Sequence, residues 1–460
     1  MSHHLEIPPS RIAQVTPDVH LSYFDSWADH DPKRERPERY TTLVALHGVG
    51  FNGAVFSPLI PYLPETIRLV AYNQRSYAGS SPAFASKTPG AVDATAAYLI
   101  DLVAFLKWTT DELDVPKKGP DGQGGIVLLG WSKGTVIPIS LLALLRHLSN
   151  NSTAPKEPDG QPSFLARVAP SSPLLASLPF NLSDEVSSLK SNHLRSIILF
   201  EPPGSAFARA PTPDFLESRF SKLAKPAKRR GAPASSGGED AGSEMADPQE
   251  EEEERKRQEW ANEFASWVAG YGPPSHRQSG ASTTPSPRPD DASVDASCSD
   301  DGEALVPSTL DDLDPRLVER GWEPACVLHG FEWTLSPSAA EVARLGRIAM
   351  TGGEGRVELE RARLAEAGPT RGSIKVEVEV PIGVLVGGRT VGYFAETADM
   401  IREWWDPSQS EAPGVGNGDE AVRKRVVVRE VSGTNHFGFV HKPELFSNVL
   451  VETIDELRGG

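Results

Sequence analysis

The chain has 460 residues, of which 38% are hydrophobic, and its formal net charge at pH 7 is −17. This length is enough for two or three domains, or for one large domain that carries insertions. Nucleic acids and anionic membranes bind basic protein faces, so the acidic balance argues against both as partners.

The cysteine content and the two ends of the sequence bear on the compartment. Two cysteines, Cys298 and Cys326, cannot form the disulfide framework of a small secreted domain, so a reducing compartment is expected. No segment approaches the roughly 18 uninterrupted apolar residues of a membrane-spanning helix. Residues 1–11 lack the apolar core of a signal peptide, and residues 456–460 do not form a peroxisomal signal. These features predict a cytoplasmic protein without an integral membrane segment.

Short apolar runs alternate with helical patterns along much of the chain. Each run is continuously apolar, as in strands of a parallel sheet that are buried on both faces. The alternation predicts an α/β fold with a mostly parallel, doubly wound sheet. Helices are predicted from about 92 to 106, 135 to 148 and 444 to 457. The six predicted strands are Thr42–Leu46, Arg68–Tyr72, Ile126–Leu129, Ile197–Phe200, Val384–Val386 and Val426–Val428.

The strand–helix alternation stops after Phe200 and resumes near Val384, which indicates an insertion between two strands of one sheet. We expect residues 1–203 and 381–460 to form the core and residues 204–380 to form the insertion. Within the insertion, residues 226–303 contain 17 acidic and 8 basic residues. This composition predicts disorder, and an acidic arm of this kind is suited to a protein partner. One amphipathic helix is expected there, and its aromatic stripe is expected to dock on the main body. The stripe consists of Trp260, Phe264, Trp267, Val268 and Tyr271.

The third predicted strand leads directly into a Gly-x-Ser-x-Gly pattern, and a helix follows. A serine on such a turn is held in a strained backbone conformation with its oxygen above the sheet. The flanking glycines are required because a Cβ there would collide with the neighbouring strand and helix. The turn also lies at a helix N-terminus, where negative charge is favoured. The pattern, which predicts a nucleophile at its centre, consists of Gly130, Trp131, Ser132, Lys133 and Gly134.

The first core strand ends in a His-Gly turn made of His47, Gly48, Val49 and Gly50. Such a turn at the carboxyl end of a strand can supply the second backbone donor of an oxyanion hole. We predict that the two donors are the backbone N–H groups of Val49 and Lys133. The side chain of Lys133 is expected to point to solvent or to the insertion.

A serine nucleophile needs a base, and the predicted sheet limits the choice among the histidines. His436 lies on the loop after the last predicted strand, from which it can reach across the carboxyl edge of the sheet to Ser132. His441 is the alternative, and His436 is preferred because it lies nearer the strand end. No histidine has metal-ligand spacing, so no metal is predicted.

Three motifs follow one another along the chain: the His-Gly turn, the Gly-x-Ser-x-Gly pattern and the loop of His436. In this order they resemble the α/β-hydrolase superfamily of serine hydrolases, of the AB hydrolase-1 type. Residues 72–80 resemble a loop of its single-domain members, and 201–203 and 267–271 resemble uncharacterised fungal members. The resemblance covers residues 40–203 and 381–455. It implies the α/β-hydrolase fold, with an eight-stranded sheet and a large cap domain inserted after the sixth strand.

The third member of a catalytic triad is where the sequence departs from the usual superfamily pattern. Most members place an aspartate shortly after the seventh strand, whereas the first acids there are Glu396 and Asp399. Other members, including pancreatic-type lipases, use an acid at the end of the sixth strand, where this chain has Glu201 before two prolines. Either position can fix the tautomer of the histidine and stabilise the imidazolium. Glu201 is preferred, with Glu396 and Asp399 as alternatives.

A serine nucleophile points to acyl chemistry, whereas haloalkane dehalogenases and epoxide hydrolases of this fold need an aspartate. We predict a carboxylic ester, lactone or thioester hydrolase that forms an acyl-enzyme and takes a small, apolar acyl substrate beneath the cap. One alternative is a carbon–carbon bond hydrolase or lyase with the same triad. Another is a non-catalytic binding or interaction protein on a hydrolase scaffold. No nucleotide, flavin or metal cofactor is predicted.

Overall fold

The computed structural model describes most of the predicted core and short pieces of the insertion. The described residues are 5–28, 37–82, 94–149, 178–207, 252, 255–256, 258–264, 313–324, 326–327, 346, 349, 380–390, 392–405 and 426–458. Most of residues 226–303, for which disorder is predicted, lie outside the described residues, and so does most of the predicted cap.

Eight strands form one sheet in the order β1-β2-β4-β3-β5-β6-β7-β8. Only β2 runs against the others, because it pairs antiparallel with both β1 and β4, and the remaining neighbours are parallel. This topology confirms the predicted α/β class and the mostly parallel sheet. The strands are β1 Arg11–Thr16, β2 Val19–Asp25, β3 Thr41–Leu46, β4 Ile67–Tyr72, β5 Ile126–Trp131, β6 Leu194–Phe200, β7 Ile382–Gly387 and β8 Val426–Val431.

The sheet is covered on both faces, which explains why its central strands are continuously apolar. Successive side chains of a strand point to opposite faces. In β5, Ile126 and Leu128 enter one apolar cluster, whereas Val127 and Leu129 enter the other. Every residue of β3, β4, β5 and β7 is buried as a result.

The helices divide between the two faces. α1, α2, α3 and α5 contribute to the first cluster, and α7 contributes to the second, together with the 3-10 segment Gly53–Tyr62. In the part of the chain that the structure describes, no helix is both long and apolar enough to cross a bilayer. The helices are α1 Ala94–Glu112, α2 Val136–Ser149, α3 Leu182–Asn192, α4 Pro315–Gly321, α5 Gly392–Trp405, α6 Gly438–His441 and α7 Pro443–Arg458.

Two features of the sheet differ from the sequence-based expectation. The hairpin of β1 and β2 was not predicted, because its residues alternate between apolar and polar and form no continuous apolar run. The prediction that the last strand is buried on both faces is wrong. β8 is the edge strand, and only Val427 and Val431 of its six residues are buried.

The insertion falls between two adjacent strands of the sheet. β6 ends at Phe200 and β7 begins at Ile382, yet these strands pair in parallel with Ile197 opposite Ile382. From the predicted aromatic stripe, Trp260 and Phe264 are buried, their rings stack at 6.0 Å, and both join the second apolar cluster. The remaining members of the stripe, Trp267, Val268 and Tyr271, lie outside the described residues.

A buried ion pair ties β2 to β4 at the amino ends of the parallel strands. The Arg68 guanidinium donates from Nε to Asp25 Oδ1 at 3.0 Å and from an Nη to Asp25 Oδ2 at 2.7 Å. Both side chains are only 4% exposed, and the guanidinium also lies over the Trp27 ring at 5.4 Å. Removing one partner of such a pair leaves an uncompensated charge in the interior.

We therefore expect Asp25→Ala to lower the free energy of unfolding by about 3–5 kcal/mol, as measured by urea denaturation. Asp111→Ala is the matched control, because Asp111 forms an exposed ion pair with Lys107 one helical turn away. Exposed pairs of this kind contribute little, so the control should change the unfolding midpoint far less. Equal midpoints for the two variants would contradict a structural role for the buried pair.

Candidate active site

Ser132 lies on a strained turn between β5 and α2. Its φ angle is +54°, in the left-handed region that non-glycine residues rarely occupy. The turn continues as the 3-10 segment Ser132–Thr135, from which α2 follows directly. The first N–H groups of a helix point toward its N-terminal end. Lys133 is the second residue of the segment that begins at Ser132, so its backbone N–H is one of these groups.

The two glycines that flank this turn permit close packing of the backbone. A Cβ on Gly134 would lie 2.5 Å from the carbonyl oxygen of His47 and closer still to that of Leu46. A Cβ on Gly130 would lie 2.7 Å from the carbonyl oxygen of Gly134. These contacts are the physical reason for the glycines in the motif, since they bring the end of β3 against the serine turn.

The loop that follows β3 touches Ser132 directly. A Cβ on Gly48 would lie 3.1 Å from the Cβ of Ser132, so the Gly48 backbone is in contact with the serine. The next residue along the loop is Val49, which is buried. Among the residues that the structure describes, none accepts a hydrogen bond from the Val49 N–H. The predicted oxyanion donor is therefore adjacent to the predicted nucleophile.

His47 controls the direction of that donor. Its Nε2 accepts a hydrogen bond from the backbone N–H of Gln74 at 3.0 Å, so the ring proton must be on Nδ1, which lies 2.9 Å from the Gly48 carbonyl oxygen. Burial, reinforced by the positive charge of Lys133, lowers the pKa of His47 to about 3. The carbonyl of Gly48 and the N–H of Val49 belong to one planar peptide and point in opposite directions. The neutral imidazole thus holds the orientation of the Val49 N–H.

His436 is in contact with Glu201. Its Nδ1 lies 2.6 Å from Glu201 Oε2, and both side chains are buried. A carboxylate oxygen accepts a hydrogen bond from an Nδ1–H group, so this contact favours the tautomer whose Nε2 is an acceptor. The alternative base, His441, lies at the end of α6 with its ring 6.3 Å from that of Phe437.

Glu201 occupies the first position after β6, with a φ angle of +52°. Its Oε1 accepts a hydrogen bond from the Gly387 N–H at 2.7 Å, and its Oε2 accepts one from the Thr390 hydroxyl at 2.6 Å. These donors and the His436 ring compensate a carboxylate that has no exposure to solvent. The structure thus brings Glu201 to His436.

The two alternative acids lie elsewhere. Glu396 and Asp399 are on the exposed side of α5, and Asp399 forms an ion pair with Arg402 at 2.8 Å. Neither is among the hydrogen-bond partners of His436 in the described part of the chain. The buried face of the same helix carries Phe394, whose ring stacks on the His436 ring at 4.3 Å.

Trp131 connects the serine turn with the histidine loop. Its indole N–H donates a hydrogen bond to the backbone carbonyl of His436 at 3.0 Å, and the two rings are 5.2 Å apart. His436 therefore lies beside the residue that precedes Ser132. Sequence reasoning missed this contact, together with the roles of Phe394 and Thr390. The tryptophan beside Ser132 in the Gly-x-Ser-x-Gly pattern was the one local feature that pointed to the contact between Trp131 and His436.

The Lys133 side chain was predicted to point to solvent or to the insertion, and the solvent alternative is wrong. Lys133 is buried, and its ammonium group lies over the Tyr98 ring of α1 at 5.1 Å. This cation–π contact directs the side chain inward because α1 packs beside α2. The charge of Lys133 is thus withdrawn from solvent, and it acts on Cys326 of the insertion.

Comparisons with known proteins give similarity to solved structures alone, since neither a family model nor a curated protein matches the sequence. A bromoperoxidase from Bacillus anthracis is 11% identical, with a TM-score of 0.42, and the match covers 97% of this chain and 100% of that one. The haloalkane dehalogenase DatA from Agrobacterium tumefaciens C58 is 12% identical, with a TM-score of 0.41 and coverage of 98% and 97%. A hydrolase from Pseudomonas aeruginosa PA01 is 13% identical, with a TM-score of 0.42 and coverage of 98% and 99%.

The topology of the chain itself identifies the fold. One reversed strand, β2, lies in an eight-stranded sheet whose other strands run in parallel. A strained serine turn joins β5 to α2, an acid ends β6, and a histidine lies on the loop after β8, in that order along the chain. A serine elbow followed by an acid and then a histidine is the chain order of α/β-hydrolases. The chain therefore has the α/β-hydrolase fold.

Proposed function

We propose that the protein is a serine hydrolase that cleaves a carboxylic ester, lactone or thioester through an acyl-enzyme intermediate. The observation that carries this proposal is the buried contact of 2.6 Å between His436 and Glu201, beside the strained turn of Ser132. A nucleophile activated by a base, which is in turn oriented by a third group, is the arrangement used for acyl transfer.

The proposed reaction begins when the Ser132 hydroxyl attacks the acyl carbonyl carbon while Nε2 of His436 takes its proton. The resulting oxyanion accepts hydrogen bonds from the backbone N–H groups of Val49 and Lys133. His436 then returns the proton to the departing alcohol or thiol, which leaves the acyl group on Ser132. In the second half, His436 removes a proton from water, which attacks the acyl carbonyl carbon. His436 then returns this proton to the Ser132 oxygen as the acid is released and the enzyme is regenerated. Glu201 orients the His436 ring through the contact at Nδ1 and stabilises the imidazolium.

The identity of the nucleophile favours acyl substrates over halogenated alkanes. Displacement of a halide forms an alkyl-enzyme ester, and water opens this ester at the carbonyl of an aspartate nucleophile. A serine ether formed in the same way would have no carbonyl for water to attack. Ser132 therefore argues for ester-type chemistry, although a haloalkane dehalogenase is among the proteins of similar fold.

The contact between Glu201 and His436 also weighs against a non-catalytic protein. That alternative relied on the unusual place of the acid, which left open a histidine without an orienting carboxylate. A carboxylate buried without solvent exposure at the end of β6 supplies the orientation. Burying a carboxylate is costly, and orienting a histidine base is the role that such a carboxylate has in catalytic sites, so the contact supports the enzyme over the binding protein.

A fluorophosphonate probe tests the nucleophile directly. We expect a single adduct on Ser132 in the purified full chain, with the Ser132 oxygen bonded to phosphorus and fluoride released. Ser132→Ala should abolish labelling and should lower kcat for p-nitrophenyl acetate by about 10⁶, with the oxyanion hole and substrate binding supplying the residual activity. Mass spectrometry of the labelled peptide identifies the site. An unlabelled wild type with intact circular dichroism would contradict the proposal.

The role of the acid is tested by Glu201→Gln. The amide can donate a hydrogen bond to Nδ1 and so favour the wrong tautomer of His436, which we expect to lower kcat by about 10⁴. Glu396→Gln is the matched control, because Glu396 is exposed on α5. This control should keep kcat within twofold of the wild type. A larger loss in Glu396→Gln than in Glu201→Gln would assign the acid to α5 instead.

The neutral state of His47 predicts a pH-dependent stability. The pKa of His47 is about 3 in the folded protein, whereas that of an exposed histidine is 6.5. The unfolded chain therefore binds the proton first, so this stabilisation is complete above pH 6.5 and is lost as the pH falls toward 3. The difference in unfolding free energy between wild type and His47→Gln should shrink by up to about 1.4 kcal/mol per pH unit below 6.5. Parallel urea curves from pH 7 to pH 4 would contradict a buried neutral imidazole.

A further inference from the structure

A short piece of the insertion lies on the loop that carries the predicted oxyanion donor. We call residues 47–52 the oxyanion loop and residues 313–324 the strap. The strap contains α4, which begins after the capping residue Asp314 and buries Leu317 and Gly321. It pairs with the loop through its backbone, so the insertion reaches the candidate active site through this segment.

Backbone hydrogen bonds join the strap to the oxyanion loop in an antiparallel bridge. The N–H of Asn52 donates to the carbonyl oxygen of Gly321 at 2.8 Å, and the N–H of Glu323 donates to that of Gly50 at 2.6 Å. Between them, Phe51 and Trp322 are paired, and their rings are 4.7 Å apart. The loop is thus held as though it were a short strand.

The side chain of Glu323 adds a second attachment. Its Oε1 accepts a hydrogen bond from the Asn52 amide at 2.6 Å, and its Oε2 accepts one from the backbone N–H of Ala78 at 2.8 Å. Ala78 lies on the loop after β4. The preceding residue of this loop, Tyr77, also contacts the oxyanion loop, because its hydroxyl accepts a hydrogen bond from the Gly50 N–H at 3.1 Å. One carboxylate therefore ties two core loops to the insertion.

Gly50 shows how closely these parts are packed. A Cβ on Gly50 would collide with the Trp322 ring and would lie 2.8 Å from a methyl carbon of Val327. On its other side, Phe51 packs against Trp131 of the serine turn at 5.6 Å between ring centroids. The oxyanion loop is enclosed between the serine turn and the strap.

We propose that the strap sets the geometry of the oxyanion hole and that Glu323 is its positioning residue. His47 orients the peptide before Val49, and the strap holds the three residues that follow Val49. With both sides of Val49 restrained, its N–H stays directed at the developing oxyanion. This inference rests on the proposed function, since it assigns the insertion a part in the same acyl transfer.

The inference predicts a loss in rate rather than in substrate affinity. A displaced donor weakens hydrogen bonding to the oxyanion, which exists only in the transition state and intermediates, so kcat falls while KM stays constant. Complete loss of an oxyanion donor typically lowers the rate by about 10²–10³, which sets the upper limit for a loosened one. A residue that only stabilises the fold would change the melting temperature without this selective effect on kcat.

The experiment compares three variants of the full chain with the wild type. Glu323→Ala removes both acceptors, and Glu323→Gln keeps one carbonyl oxygen to accept from Asn52 or Ala78. Glu319→Ala is the matched control, because Glu319 is an exposed acid on α4. For each variant, the rate constant for fluorophosphonate labelling of Ser132 is measured, together with kcat and KM for p-nitrophenyl acetate.

We expect Glu323→Ala to lower the labelling rate and kcat by about 10- to 100-fold at unchanged KM. Glu323→Gln should be intermediate, and Glu319→Ala should equal the wild type. Wild-type rates in Glu323→Ala, with Ser132 still labelled, would overturn the role of the strap and leave the proposed function intact. An unlabelled wild type would instead overturn the proposed function. If Glu323→Ala does not fold, Glu323→Gln decides, and a wild-type rate in that variant overturns the inference.

Discussion

A carboxylate without solvent exposure is the constraint around which the candidate site is arranged. A buried charge is tolerated only when hydrogen bonds replace its hydration. Glu201 receives these bonds from the Gly387 N–H at the end of β7, from the Thr390 hydroxyl and from His436 on the loop after β8. The charge therefore requires that β6, β7 and β8 end together, which their parallel register provides.

The position of Ser132, the predicted nucleophile, depends on close backbone packing instead of charge. Gly134 allows the serine turn to approach the carbonyl oxygens at the end of β3, and the Gly48 backbone touches Ser132 as a consequence. The same approach places the loop after β3 where a backbone N–H can meet an oxyanion. Trp131 joins this half of the site to the other through its hydrogen bond to the His436 carbonyl.

The insertion takes part in this arrangement although it interrupts the sheet. Its strap pairs with the oxyanion loop, and Trp260 and Phe264 pack into the apolar cluster that contains Phe51 and Trp131. The core sheet therefore positions Ser132, His436 and Glu201, whereas the strap adds contacts around the predicted oxyanion donor. A long insertion can evolve such contacts without disturbing the sheet, because the strands on either side of it pair directly.

The sequence alone determined the features that depend on neighbouring residues. A buried strand is a continuous apolar run, and the turn at Ser132 needs glycines on both sides, so the central strands and this turn could be predicted locally. Which of Glu201, Glu396 and Asp399 contacts His436 could not be decided locally, because the contact between Glu201 and His436 joins residues 235 positions apart. Burial of Lys133 over Tyr98 and docking of the strap on the oxyanion loop are likewise long-range contacts. Only the tertiary structure decides them, since side chains distant in sequence meet only after the sheet has set their positions.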